Sequence, residues 1–75
     1  MFYILTRPDC PWCDKAKELL NDKGEDHQVF LYTEHPLIVK LMFKAGLKSV
    51  PQIWHNGDHI GGYEALALYL LQNED

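Results

Sequence analysis

Cys10-Pro11-Trp12-Cys13 is the stretch on which the reading of this chain turns. It follows the short apolar run Phe2-Tyr3-Ile4-Leu5, which reads as a buried strand, and the break Arg7-Pro8-Asp9. Beyond it, Ala16, Leu19 and Leu20 follow Trp12 at helical spacing. Pro11 suits the first turn of a helix, where its missing N–H is not needed, and Lys23-Gly24 supplies a basic end and a stop. The cysteine pair therefore sits where a strand hands over to a helix. The first N–H groups of a helix have no partners inside it, and the helix dipole adds partial positive charge there. A thiolate at Cys10 is stabilised at that point, and its pKa falls below that of a free cysteine. Cys13, one turn on, lies on the same face and within disulfide reach. The predicted division of labour has Cys10, exposed at the helix start, attacking a disulfide, and the more shielded Cys13 resolving the mixed disulfide. Arg7 adds positive charge near the thiolate, and Asp9 works against it.

Working outward, Gln28 to Tyr32 is a second strand, rich in Val and aromatics. Pro36 starts a second helix, with Ile38, Leu41, Met42 and Ala45 as its apolar face and Gly46 at its end. After Pro51, Gln52 to His55 reads as a third strand and Asp58 to Ile60 as a short fourth. Asn56-Gly57 joins them as a two-residue hairpin turn, because both positions tolerate positive φ. Gly61-Gly62 makes a turn, and Tyr63, Leu66, Ala67, Leu70 and Leu71 trace a final amphipathic helix. The order β-α-β-α-β-β-α predicts an α/β fold: a mixed four-stranded sheet with three helices, its first unit parallel with a right-handed crossover.

The 75 residues allow one domain, residues 1–75, with a thin core. With 47% hydrophobic and 24% charged residues the composition is that of an ordered globular chain. The formal net charge is −4 and the Lys and Arg residues are scattered, which argues against nucleic acid or an anionic membrane surface as a partner. No segment is long enough to span a bilayer, and the N-terminal apolar run is too short for a signal peptide and has no basic lead. A cytoplasmic protein is expected, and in that compartment a lone structural disulfide is rare. Redox or metal chemistry is the better use of two cysteines.

The metal reading would add His55 and His59 to the cysteine pair as four zinc ligands. The pairs lie far further apart than the roughly dozen residues of a zinc finger, so the spacing favours redox and no metal site. His27 and His35 read as solvated surface. Trp12, between the cysteines, is expected to cover the sulfurs and contact substrate rather than only to pack. Tyr63 and Leu66 belong to the core or its rim, and the tail from Leu66 to Leu71 is core by spacing. Met42-Phe43 fits core packing as well as an exposed patch. Pro51, on base rates alone, would follow a trans bond at a strand start.

With these elements placed, the chain resembles the glutaredoxins over nearly its whole length. The matching segments are Cys10-Pro11-Trp12-Cys13-Asp14-Lys15-Ala16-Lys17, Ser49-Val50-Pro51-Gln52-Ile53 and His59-Ile60-Gly61-Gly62-Tyr63. The resemblance implies a thioredoxin-like fold and a cis bond between Val50 and Pro51 close to the sulfurs, against the base rate. It implies glutathione as reducing co-substrate, with no bound cofactor, and binding positions at Arg7, Trp12, Ser49, Val50, Pro51, Gly62, Tyr63 and Glu64. In the family the backbone at the Val50 position pairs with the cysteinyl part of glutathione in strand fashion. Arg7 matches the basic residue near the glycine carboxylate, and Trp12 the aromatic beside the ligand. The chain departs from the pattern after Gly61-Gly62: many glutathione-using members carry Ser or Thr and then Asp there, and here Glu64 and Ala65 stand instead. Glu64 and the free N–H groups of a helix start would then hold the γ-glutamyl end. Substrates implied are disulfide-bearing proteins, with ribonucleotide reductase the family-level example, and glutathione mixed disulfides. A monomer is expected. Two other readings stay open: a thioredoxin-like carrier reduced by a flavoprotein reductase, and a zinc or iron–sulfur module.

Overall fold

The computed structural model of the chain describes residues 1–72. Its elements run β1 (Phe2–Thr6), α1 (Pro11–Asp22), β2 (His27–Leu31), a 3-10 turn (Tyr32–Glu34), α2 (Pro36–Lys44), β3 (Gln52–His55), β4 (Asp58–Gly61) and α3 (Tyr63–Gln72). The strands form one sheet in the order β2-β1-β3-β4, with β1 parallel to β2 and the other two pairings antiparallel. This is the predicted mixed sheet with three helices.

Side chains alternate across a strand, so β1 serves two layers. Phe2 and Ile4 point to one face and pack with Ala16 and Leu20 of α1, Ile53 of β3, and Leu66 and Leu70 of α3. Tyr3 and Leu5 serve the other face, where they line an apolar hollow with Phe30, Trp54 and Ile38 of α2. The buried central strand thus reads as a continuous apolar run rather than an alternating one.

The boundaries differ from the sequence expectation in instructive ways. β1 extends to Thr6, whose side chain is buried. β2 begins and ends one residue early, because Tyr32 starts the 3-10 turn that leads into α2. Lys23 caps α1 instead of lying within its last turn. On α2 only Met42 is buried; Leu41 and Phe43 are largely exposed and Ala45 is the cap, since a nine-residue helix covers only part of the sheet face beneath it. The α3 tail is likewise only partly core: Leu66 and Leu70 are buried, whereas Leu68 and Leu71 face outward. Asn56 and Gly57 both have positive φ, as the two-residue hairpin requires.

His27 and His35, expected as free surface, are half-buried: the His27 ring lies against the Glu25 carbonyl, and His35 meets the edge of Phe30. The β3–β4 ladder slips by one residue between Ile53 and Trp54, so that Trp54 faces His59 while Ile53 faces Gly61. The extra residue, Ile60, packs on the core, and the bulge brings Gly61 to the start of α3.

Candidate active site

The site is assembled at one end of the sheet from three chain reversals: the β1–α1 junction, the segment before β3, and the β4–α3 junction. At the first, Pro8 and Asp9 form the turn, and Asp9 takes a left-handed φ of 55° that short polar side chains tolerate. Cys10 then caps α1 in extended conformation, and Pro11 opens the helix. The Cys10 sulfur accepts a hydrogen bond from the Cys13 backbone N–H at 3.2 Å, which gives one orphan donor of the helix start a partner. Cys10 and Cys13 are joined as a disulfide with Cα atoms 5.2 Å apart.

The structure corrects one expectation here. Cys10 is not exposed: its fractional exposure is 4%, against 1% for Cys13. The covering comes from the segment before β3, whose Val50 carbonyl lies 3.9 Å from the Cys10 sulfur. The Val50–Pro51 bond is cis, as the resemblance implied and the base rate did not.

Two clefts meet at Ser49 and Val50, the residue whose carbonyl faces the Cys10 sulfur. One is lined by Trp12, Ser49, Val50, Pro51, Gly62, Tyr63, Glu64 and Ala65. The Trp12 ring is half exposed, leans on Tyr63 with centroids 5.6 Å apart, and carries the Lys15 ammonium 4.4 Å from its centroid. The other cleft, of about 330 Å³, lies between Arg7 and Lys48 over an apolar floor that includes Val39, Met42 and Phe43. Every residue singled out in the sequence as a binding position therefore lines one of the two, with Arg7 apart from Trp12 and Glu64 on the opposite side of Val50. One cleft carries two cations and the other a carboxylate beside the open end of α3. The pair suits an extended ligand with a carboxylate at one end and an amino acid head at the other.

Of the residues that sequence reasoning passed over, Lys48 lines the site and Gln52 bonds to Ser49 at its border. Lys48 adds a second cation to the Arg7 cleft; a basic residue two places before Val50 was the available signal. Gln52 is buried at the start of β3 and bonds both Ser49 and His59. A polar residue between Pro51 and Ile53, both apolar and buried, was its signal.

The four residues of the zinc reading do not converge. The His55 ring stacks on Phe2 at 4.0 Å and pairs with the Tyr69 hydroxyl at 2.7 Å, whereas His59 faces Trp54 and Gln52. Among the described residues no three His, Cys, Asp or Glu side chains gather as a metal site would need. No helix among them is long and apolar enough to cross a membrane.

Comparison with known proteins agrees with this geometry. The glutaredoxin family model matches residues 2–60. A glutaredoxin of Pseudomonas aeruginosa is 44% identical over 64 residues, covering 84% of this chain and 76% of its own. The hybrid peroxiredoxin hyPrx5 of Haemophilus influenzae is 41% identical over 66 residues, which are 88% of this chain and only 27% of that longer protein. Among solved structures, the glutaredoxin of Brucella melitensis superposes with a TM-score of 0.78 at 30% identity, over 96% of this chain and 79% of its own. The NrdH-redoxin of Escherichia coli superposes with a TM-score of 0.82 at 19% identity, over 99% and 97%, a likeness of fold alone.

Proposed function

Because the chain belongs to the glutaredoxin family, we propose that it is a thiol–disulfide oxidoreductase that works through Cys10 and Cys13 and draws its electrons from glutathione. The observation that carries this reading is the bridged pair at the start of α1, with the Cys10 sulfur accepting the Cys13 N–H. That bond and the helix dipole favour a thiolate at Cys10 over a thiol.

In the cycle, the Cys10 thiolate attacks one sulfur of a substrate disulfide. A Cys10 mixed disulfide forms, and the other substrate sulfur leaves as a thiolate that takes a proton from water. Cys13 loses its proton and attacks the Cys10 sulfur. The second substrate thiolate leaves, the Cys10–Cys13 disulfide closes, and two electrons have passed to the substrate. Two glutathione molecules then reopen the bridge and leave as glutathione disulfide.

In the bound state Val50 offers its backbone to the cysteinyl unit in strand fashion, between Ser49 and Pro51. Arg7 faces the glycine carboxylate. Trp12, Tyr63 and Gly62 wall the other cleft. Glu64 meets the amino group of the γ-glutamyl end, while its carboxylate rests on the free N–H groups of α3. No resident cofactor is required. Disulfide-bearing proteins are the second substrate class, with ribonucleotide reductase the family-level candidate, and the working unit is a cytoplasmic monomer. The similarity to a hybrid peroxiredoxin adds an oxidised peroxiredoxin to the proteins worth assaying.

A thioredoxin-like carrier reduced by a flavoprotein is the second reading, favoured by Ala65, which puts a methyl group in the cleft where many glutathione-using relatives have an Asp carboxylate. One assay separates the two. The oxidised protein is given glutathione, glutathione reductase and NADPH with a small mixed disulfide, and thioredoxin reductase replaces the glutathione arm in parallel. Turnover with glutathione is expected; turnover only with thioredoxin reductase would overturn the electron donor proposed here. Cys10→Ser should abolish activity, and Cys13→Ser should abolish protein-disulfide reduction while sparing part of the deglutathionylation. Equal loss in both variants and both assays would sink the division of roles.

A further inference from the structure

Gln52 is the buried polar side chain of the site that the reaction itself does not use. It is 5% exposed, follows the cis proline, and shares a sheet face with Trp54. Its amide nitrogen donates to the Ser49 carbonyl at 2.9 Å and lies 3.4 Å from the Ser49 hydroxyl. Its amide oxygen lies 2.7 Å from His59 Nε2, across the β3–β4 pair. The pattern is directional. Ser49 presents a carbonyl, which only accepts, so the Gln52 amide must turn its NH2 group that way. Its oxygen then faces His59, and His59 must carry a proton on Nε2 to donate to it. Rotating the amide would set two oxygens against each other at Ser49. The Ser49 carbonyl therefore sets the amide orientation, His59 braces it by donating to the amide oxygen, and the amide holds the Ser49–Val50 peptide. That peptide borders both clefts and sets the Val50 carbonyl 3.9 Å from the Cys10 sulfur.

We propose that Gln52, braced by His59, is a positioning residue that fixes the Val50 backbone for disulfides whose own peptide groups pair with it. The inference rests on the disulfide-exchange reading above and adds to it a basis for preferring peptide disulfides over small ones. A substrate with no amide group gains nothing from an ordered Val50 edge. A substrate that pairs with the edge loses affinity when the edge is left to fluctuate.

The test uses the reduced protein in single-turnover oxidation, followed by tryptophan fluorescence, with Trp12, which lies between the two cysteines in the chain, as reporter. Three oxidants are compared: glutathione disulfide, insulin, and bis(2-hydroxyethyl) disulfide, which has no amide. In each, the Cys10 thiolate attacks, one oxidant thiolate leaves, and Cys13 closes the bridge as the second leaves. Gln52→Leu removes the donor and the acceptor at similar volume. His59→Ala leaves Gln52 in place but removes the partner of its amide oxygen, and His59 is exposed, so the fold should tolerate the change. Losing one hydrogen bond of about average worth corresponds to roughly fivefold to tenfold. Gln52→Leu should slow the peptide oxidants by about that factor, with the small disulfide held within roughly twofold. His59→Ala should do the same more weakly, and the double variant should be no slower than Gln52→Leu alone, because the two act through one amide.

Equal slowing with all three oxidants would overturn the proposal in favour of a general structural role, as would no slowing in either variant. Should Gln52→Leu fail to fold, His59→Ala carries the comparison. Wild-type protein that oxidises readily with insulin but not with glutathione disulfide would refute glutathione as the donor, and the variant ratios would then be read on insulin.

Discussion

Replacing Gly61 with alanine should cost more than the same change at any other glycine of the described residues. Gly61 ends β4 with φ of +129°, and a Cβ built there would stand 2.9 Å from the Cβ of Ala65. The two facts contribute separately. An L-residue held in that backbone region carries about 1–3 kcal/mol of strain. The contact falls 0.5 Å short of the 3.4 Å at which ordinary van der Waals contact begins, so the first turn of α3 must move or the bulge must open. Overpacking of that kind costs about 1–3 kcal/mol. Together they come to about 2–6 kcal/mol, against a total stability of about 4–11 kcal/mol for a domain of this length. In urea, with an m-value of about 1.5 kcal/mol/M, the midpoint should fall by roughly 1–4 M. The oxidised proteins would be unfolded in parallel, so that the disulfide contributes equally to both.

A second substitution divides the cost. Ala65→Gly in the Gly61→Ala background removes the clash and leaves the backbone strain. The pair should be favourably coupled by about 1 kcal/mol or more, measured against each single variant so that the helix penalty of glycine cancels. Because α3 opens with Tyr63 and Glu64, the single Gly61→Ala variant should also raise KM for glutathione mixed disulfides more than it lowers kcat. A Gly61→Ala protein within about 0.5 kcal/mol of the parent would refute the reasoning, since neither strain nor overlap could then be present.

Two further outcomes are expected. Trp12→Ala removes a half-exposed ring that leans on Tyr63; stability should change by less than about 1 kcal/mol, while KM for mixed disulfides rises several-fold, read from steady-state kinetics and a melting curve. The reduced protein should react with iodoacetamide at Cys10 with a pH midpoint below that of free cysteine, because the Cys13 N–H and the helix start favour the thiolate; a midpoint at or above the free value, from alkylation rates between pH 4 and about 9, would count against that role.

The fold was legible because its signals were local. Pro11 and Pro36 mark helix starts, Asn56-Gly57 forces a hairpin, and Phe2 to Leu5 is too apolar for anything but a buried strand. The errors came where position along a helix does not decide burial. Leu41 and Leu71 have the spacing of core residues, yet they face outward because the neighbouring layer is too small to reach them. The bulge that places Ile60 on the core and Gly61 under α3 leaves no mark in the sequence beyond a glycine pair, and its register is set by pairing with β3. Pro51 is the reverse case. Its cis bond could not be drawn from local preference and followed only from the motif in which it stands.

The largest correction concerns what makes the two cysteines different. The expectation rested on exposure, with Cys10 open and Cys13 shielded, but 4% and 1% are both nearly closed and cannot separate a nucleophile from a resolving thiol. Polar contacts can. The Cys10 sulfur stands before α1, where it receives the Cys13 N–H at 3.2 Å and faces the Val50 carbonyl at 3.9 Å. The donor stabilises a thiolate and the carbonyl opposes it; the donor is closer and is reinforced by the helix dipole, so the balance favours the anion. Cys13 lies inside the first turn, behind Cys10, and no comparable donor meets its sulfur among the hydrogen bonds of the described residues. On this account the nucleophile is chosen by the direction of α1 rather than by access to solvent. The loop that carries Val50 then governs both how closely Cys10 is covered and which backbone a substrate meets on reaching it.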